Sequence, residues 1–162
     1  MGEWLPYVEL GANQRAVSLH CGQYSTCAVL ESGRVKCWGR NDQGQLGIGT
    51  LGASDNRGDG AQEMGEWLPF VALPSGRTVQ TMSCGGASCL ALLDNGEVWG
   101  WGDNSNHQLL VNSATAAHAT PQGPALLGAT SANGIRNVSV GSLHACALFA
   151  DSRVKCCEYQ PF

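Results

Sequence analysis

The feature that most constrains this chain is an internal repeat. The decapeptide MGEWLPYVEL at residues 1–10 returns as MGEWLPFVAL at residues 64–73, and the same register continues without a gap as far as Leu46. A third, partial copy contains Arg-Val-Lys-Cys at 153–156, the tetrapeptide that also stands at 34–37. The chain is therefore a tandem array of nearly three units.

A fixed period of this kind predicts stacked copies of one supersecondary unit, each covering an apolar face of its neighbour. We divide the chain into residues 1–63, residues 64–125 with a long degenerate loop, and residues 126–162. The third unit is incomplete at its C-terminal end, because no Trp-Gly follows Cys156 as it follows Cys37.

The composition favours an all-β fold and argues against two kinds of partner. Glycine supplies 22 of the 162 residues and only 14% are charged, which is typical of short strands joined by many turns. The net charge is −4 and Lys and Arg form no cluster, so nucleic acid is not expected as a partner. No apolar stretch is long enough to predict a membrane span.

Each unit contains a predicted β-hairpin. In Cys27 to Trp38 the apolar residues alternate with others, which is strand periodicity. The intervening loop, Glu31-Ser32-Gly33, has glycine where a three-residue hairpin needs a left-handed residue. A strand before the hairpin and a looser one after it complete a unit of about four strands. Four-stranded units repeated radially are propeller blades.

The segment VSLHCGQYSTCAVLESGRVKCWGRNDQGQLGIG at 17–49 closely resembles the repeat of the regulator of chromosome condensation family. Members of this family form β-propellers, typically with seven blades. The resemblance therefore implies an all-β partial, open propeller of about three blades, or a fragment of a seven-bladed one. Repeat two departs from the family at 107–110, where His-Gln-Leu-Leu replaces the glycine-based turn.

Eight cysteines bear on the cellular compartment. The hairpin register places Cys27 opposite Cys37, and Cys146 opposite Cys156 at the same spacing. Directly opposed strand residues lie within disulfide reach, and closing such a loop stabilises a protein by roughly 2–3 kcal/mol. We predict both disulfides.

The second repeat carries Leu90 and Gly100 at the matching positions, so both cysteines are missing together, as a covalent pair predicts. Buried free thiols and a zinc site are the alternatives, although no CxxC motif has ligand spacing. A Cys84–Cys89 pair is left open, as are Cys21 and Cys157. Disulfides predict an oxidising compartment, secreted, periplasmic or the lumen of an organelle, and not the nucleus or cytosol.

No acid–base pair, activated nucleophile or phosphate-binding loop emerges from the sequence. We therefore predict no catalytic, cofactor-binding or metal-binding residues and do not expect an enzyme. The resemblance implies a protein-interaction scaffold, and we expect an accessory subunit of a larger assembly, peripheral to a membrane complex on its lumenal side. Two alternatives are a nucleotide-exchange regulator of a small GTPase, the family's founding activity, and an inhibitor of a secreted enzyme.

Nearly three units cannot close a ring of about four to eight blades, so apolar flanks are expected at both ends. The chain is accordingly not expected to be an autonomous monomer. The irregular segments 47–63 and 103–125 are expected to contact the partner, because loops on a rigid scaffold usually carry binding. The predicted partner-binding residues are Leu109, Leu110 and Val111 in the second segment, and Trp4, Tyr159 and Phe162 near the ends.

Overall fold

The computed structural model describes residues 6–128 and 134–157. These residues form ten β-strands and two short 3-10 helices, and no α-helix occurs among them. The 3-10 helices are Ala53–Asp55 and Gly65–Trp67. The strands are β1 Ala16–Cys21, β2 Ser25–Leu30, β3 Val35–Gly39, β4 Val79–Gly85, β5 Ser88–Leu93, β6 Val98–Asp103, β7 Ala117–Gln122, β8 Ile135–Val140, β9 Ala145–Phe149 and β10 Val154–Cys157.

The strands form three antiparallel sheets that follow one another along the chain. Blade 1 has the order β1-β2-β3, blade 2 the order β4-β5-β6-β7, and blade 3 the order β10-β9-β8. The all-β class and the blade architecture predicted from the repeat are thereby confirmed.

The hairpins have the predicted register. In blade 1 Val29 pairs with Val35 and Cys27 with Cys37. The turn glycine Gly33 has φ +73°, in the left-handed region that glycine adopts at little cost. Blade 3 keeps the same turn with Ser152 at φ +67°, although a residue with a Cβ is strained there.

The second copy of the repeated decapeptide belongs to the outer edge of the preceding blade. Phe70 forms an antiparallel bridge with Lys36, and the backbone N–H of Val71 donates to the carbonyl of Val35 at 2.9 Å. The second copy of the phrase thus occupies the fourth-strand position of blade 1. The sequence repeat and the structural blade are therefore out of phase.

Blade 2 has a regular fourth strand. Strand β7 pairs with β6, with Gly102 opposite His118 and Asp103 opposite Ala117. It lies inside the segment 103–125 that the sequence predicted to be irregular, so that prediction is wrong for these six residues. Their strand propensity is weak, and the edge of β6 supplies the backbone partners that hold them extended.

The core lies between successive blades in two clusters. The first joins blade 1 to blade 2 and the second joins blade 2 to blade 3. The central strand β5 is buried along its whole length because its two faces contribute to different clusters. The buried residues of the second cluster are Leu90, Leu92, Val98, Leu127, Val138, Val140, Ala145, Ala147 and Phe149.

Candidate interaction surface

The contact between blades 1 and 2 shows how one blade face is covered by the next. Val29 and Val35 of blade 1 are only 5% and 0% exposed, and they share one cluster with Ala91 and Leu93 of blade 2. The indole of Trp101 closes the outer end, where its Nε1–H donates to the carbonyl of Gln45 at 3.1 Å. This buried contact is the reference for the remaining faces.

Within the part of the chain that the structure describes, the corresponding face of blade 3 is open. Its residues Leu148 and Val154, which pair with each other, occupy the repeat positions of Val29 and Val35. They are 36% and 59% exposed. The same sequence pattern therefore builds a buried face in blade 1 and an apolar surface in blade 3.

A charged pair borders the open face. The Arg153 guanidinium donates to Asp151 at 2.7 Å, and this hydrogen bond holds the pKa of the Asp151 carboxyl below its ordinary value. The Arg153 side chain is 72% exposed and that of Asp151 is 32% exposed, so water screens the pair and it adds little to stability. Apolar residues rimmed by charges are the composition of a protein–protein interface.

Three disulfides are present. Cys27–Cys37 and Cys146–Cys156 are the two cross-strand pairs predicted from the hairpin register. The third, Cys84–Cys89, was left open by the sequence, and it joins residues paired directly across β4 and β5. The Cys146–Cys156 bond lies on the open face of blade 3, whereas Cys27–Cys37 is buried at the first interface.

The two remaining cysteines, Cys21 and Cys157, are free. Cys21 is exposed on β1, and Cys157 is half-buried on β10. Burial raises the pKa of the Cys157 thiol. Among the described residues, one group of three metal-ligating side chains comes together, namely Cys27, Cys84 and Cys89. Their sulfurs are all engaged in disulfides.

Leu109, a predicted anchor, is a core residue. It is 0% exposed, and its backbone N–H donates to Oδ1 of the buried Asn104 at 3.1 Å. Leu46 and Asn41 repeat this hydrogen bond at the same distance in blade 1. The prediction that Leu109 contacts a partner is therefore corrected, because the asparagine draws the loop inwards and leaves the leucine no surface.

The next two predicted anchors, Leu110 and Val111, are half-buried. Leu110 has φ +61°, where repeat one has Gly47 at φ +66°. A Cβ on Gly47 would lie 2.9 Å from Trp101 Cδ1, so the first interface has no room for one. At the second interface Cys157 takes the repeat position of that tryptophan, and Leu110 and Cys157 both pack against the second cluster. The small Gly47 beside the large Trp101 is thus replaced by the large Leu110 and the small Cys157, and Leu110 fills space between blades 2 and 3.

The roles of the other predicted anchors remain open. Trp4, Tyr159 and Phe162 lie outside the described residues. No helix in the described ranges is long and apolar enough to span a membrane.

Sequence reasoning missed one buried charge. Lys36, on β3, is only 1% exposed, and its Nζ donates to the carbonyls of Leu10 and Gly65 at 2.7 and 2.8 Å. Burial lowers the pKa of this amine, and the nearby Glu66 carboxylate partly offsets the shift. Lys155 stands at the same repeat position in blade 3 and donates to the carbonyl of Leu127 at 2.7 Å. The recurrence of lysine in two repeats was the available signal.

The fold and its open face define a run of β-propeller blades with disulfide-bonded hairpins. Two family models, both described as the regulator of chromosome condensation (RCC1) repeat, match the sequence. One matches residues 16–45 and 79–108, and the other matches residues 32–92. The chain belongs to the regulator of chromosome condensation repeat family, as the sequence predicted.

Known relatives are longer than this chain. The mitochondrial RCC1 domain-containing protein RUG3 of Arabidopsis thaliana is 32% identical over 130 residues, covering 80% of this chain and 27% of its own length. Human WBSCR16 superposes with a TM-score of 0.72 at 20% identity, covering 89% of this chain and 33% of its own. Yeast RCC1 (Prp20), solved bound to Kap60, gives a TM-score of 0.67 at 18% identity over 88% of this chain and 32% of its own. The chain thus spans about a third or less of these relatives.

Proposed function

We propose that this chain is a protein-interaction scaffold and that its open blade 3 face receives a partner protein. The observation that supports the proposal is the exposure of Leu148 and Val154 at positions that blade 1 buries completely or nearly so. In blade 1 the covering surface is the apolar sheet face that carries Ala91 and Leu93. The partner should therefore present a comparable apolar β-sheet face.

The family supports the same role. One solved relative is a complex of yeast RCC1 (Prp20) with the protein Kap60, so at least one protein of this fold has been solved bound to a protein partner. For this chain we infer an accessory subunit of a larger assembly, placed on the lumenal side of a membrane complex. Leu110 and Val111 stay predicted contacts, since each retains some exposed surface.

An oxidising compartment is part of this proposal. Six of the eight cysteines are paired in three disulfides, and such bonds persist where thiols are not continuously reduced. Alkylation of the native protein in its source tissue, without reductant, tests the compartment. We expect Cys27, Cys37, Cys146 and Cys156 to stay unlabelled, whereas labelling of all four would place the protein in a reducing compartment.

The scaffold proposal is tested by placing charges on the open face. The double variant Leu148→Asp, Val154→Asp should fold normally, because both side chains are already exposed, but should lose the protein that co-purifies with the native chain. Tyr24→Asp is the matched control, since Tyr24 is 58% exposed in the turn between β1 and β2 and lies outside both segments expected to contact the partner. The control should retain the partner. Equal recovery of the partner by both variants would contradict a role for blade 3.

A further inference from the structure

Two disulfides touch each other across the interface between blades 1 and 2. The Sγ of Cys27 lies 4.0 Å from the Sγ of Cys89, and the Sγ of Cys84 is within 4.8 Å of both. Cys27–Cys37 belongs to blade 1 and Cys84–Cys89 to blade 2. Four sulfurs from two covalent bonds therefore form one cluster, called here the interblade sulfur cluster.

The cluster is specific to this interface. At the second interface the equivalent positions carry Leu90 and Gly100 from blade 2, and Val140 and Ala145 from blade 3. The blade architecture accordingly does not require sulfur at these places. Repeat two, which covers the face of blade 1, has Cys84 and Cys89 where it meets the Cys27–Cys37 disulfide. Repeat three, which covers the face of blade 2, has no cysteine at the matching positions.

Access to the cluster is asymmetric. Cys27, Cys37 and Cys89 are at most 1% exposed, whereas Cys84 is half-buried. An external thiol can therefore approach the cluster at Cys84, close to the β4–β5 turn, and cannot reach the other three sulfurs directly. Attack at Cys84 makes the buried Cys89 sulfur the leaving group.

We propose that the interblade sulfur cluster is a thiol–disulfide exchange site whose reactant is a protein dithiol of the disulfide-oxidoreductase class. The dithiol attacks Cys84 Sγ and breaks the Cys84–Cys89 bond. The dithiol loses two electrons and becomes a disulfide, while Cys84 is left as a thiol and Cys89 as a thiolate. The Cys89 thiolate then attacks Cys27 Sγ, the sulfur with which it is already in contact. A Cys27–Cys89 bond forms, the Cys27–Cys37 bond breaks, and the Cys37 thiolate takes up a proton.

The exchange changes what the covalent bonds hold together. Before it, each disulfide staples one hairpin. After it, a single bond joins β2 to β5, residues that are 62 apart in sequence, and so ties blade 1 to blade 2. The redox state of the compartment thereby sets whether this interface is covalently closed.

The test uses Cys84→Ser in a background of Cys21→Ser and Cys157→Ser, so that Cys89 is the one thiol left. The protein is held at pH 8, quenched with acid, alkylated and mapped by mass spectrometry without reductant. We expect a Cys27–Cys89 peptide together with alkylated Cys37, in a substantial fraction of the chains. An intact Cys27–Cys37 bond with alkylated Cys89 in all chains would overturn the proposal.

A matched control frees a cysteine that has no second disulfide beside it. Cys156→Ser in the same background leaves Cys146 on the open blade 3 face, and this thiol should be recovered alkylated, with the other two disulfides intact. Circular dichroism checks that each variant is folded. If Cys84→Ser does not fold, the unmodified chain is titrated with dithiothreitol instead. The Cys27–Cys89 peptide must then appear during partial reduction. Its absence at every ratio of dithiothreitol to protein would contradict the exchange.

Discussion

Blade 2 should accept the disulfide that its two neighbours carry. Leu90 and Gly100 are paired across β5 and β6 just as Cys27 and Cys37 are paired across β2 and β3. Gly100 is not in the left-handed region, so its backbone tolerates other residues. The double variant Leu90→Cys, Gly100→Cys therefore has the backbone register that a cross-strand disulfide needs.

The expected energies follow from the packing around this pair. A Cβ on Gly100 would lie 2.7 Å from Leu90 Cδ2 and 3.2 Å from Leu109 Cβ, so Gly100→Cys alone overpacks the core and costs about 1–3 kcal/mol. Leu90→Cys alone empties part of a fully buried site and costs about 2 kcal/mol. In the double variant the clash with Leu90 is gone, and closing a loop of about 11 residues adds about 3 kcal/mol.

Urea unfolding of oxidised and reduced protein measures this prediction. The free energy of unfolding of the oxidised form minus that of the reduced form should be about 3 kcal/mol larger for the double variant than for the unmodified chain. The three native disulfides are common to both proteins and cancel in this comparison. The reciprocal variant Cys27→Leu, Cys37→Gly should reduce that difference by a similar amount. A double variant that oxidises fully yet shows no added difference would refute the reasoning from register and loop closure.

Three further changes probe single positions. Lys36→Met should lower the free energy of unfolding by about 1–3 kcal/mol, because two backbone carbonyls lose their donor; Lys155→Met, whose amine serves one carbonyl, should cost less in the same urea titration. Ser152→Gly should raise the thermal midpoint through about 1 kcal/mol of relieved strain, and Gly96→Ser, at φ +82° with open space around the Cβ position, should lower it, with the opposite outcome contradicting the turn assignment. Burial lowers the pKa of His118, so on acidification the histidine is protonated in the unfolded chain before it is protonated in the folded one. The free energy of unfolding should therefore fall as the pH drops below about 6.5. His118→Phe should reduce this fall, as measured by thermal melts from about pH 7.5 to 5.

Features that depend on short-range pairing could be predicted from the sequence. The spacing of Cys27, Gly33 and Cys37 determines one hairpin, because a three-residue loop leaves a single register for the strands around it. The same local argument applied to Cys146 and Cys156. Cys84–Cys89 was also local, but its glycine-rich turn permits several registers, and the choice between them is made by packing against blade 1.

Whether a side chain is buried or exposed was decided by the neighbouring blade. Val29 and Leu148 belong to the same pattern, yet one is buried and the other exposed, since only the first has a blade packed over it. Leu109 looked like a surface anchor until the hydrogen bond from its backbone N–H to Asn104 Oδ1 placed it in the core. The contact between Cys27 and Cys89 joins residues far apart in sequence and arises only when two sheets stack. Local periodicity specifies the blade, while burial is a property of pairs of blades, and one strand's alternation carries no information about which of its faces will be covered.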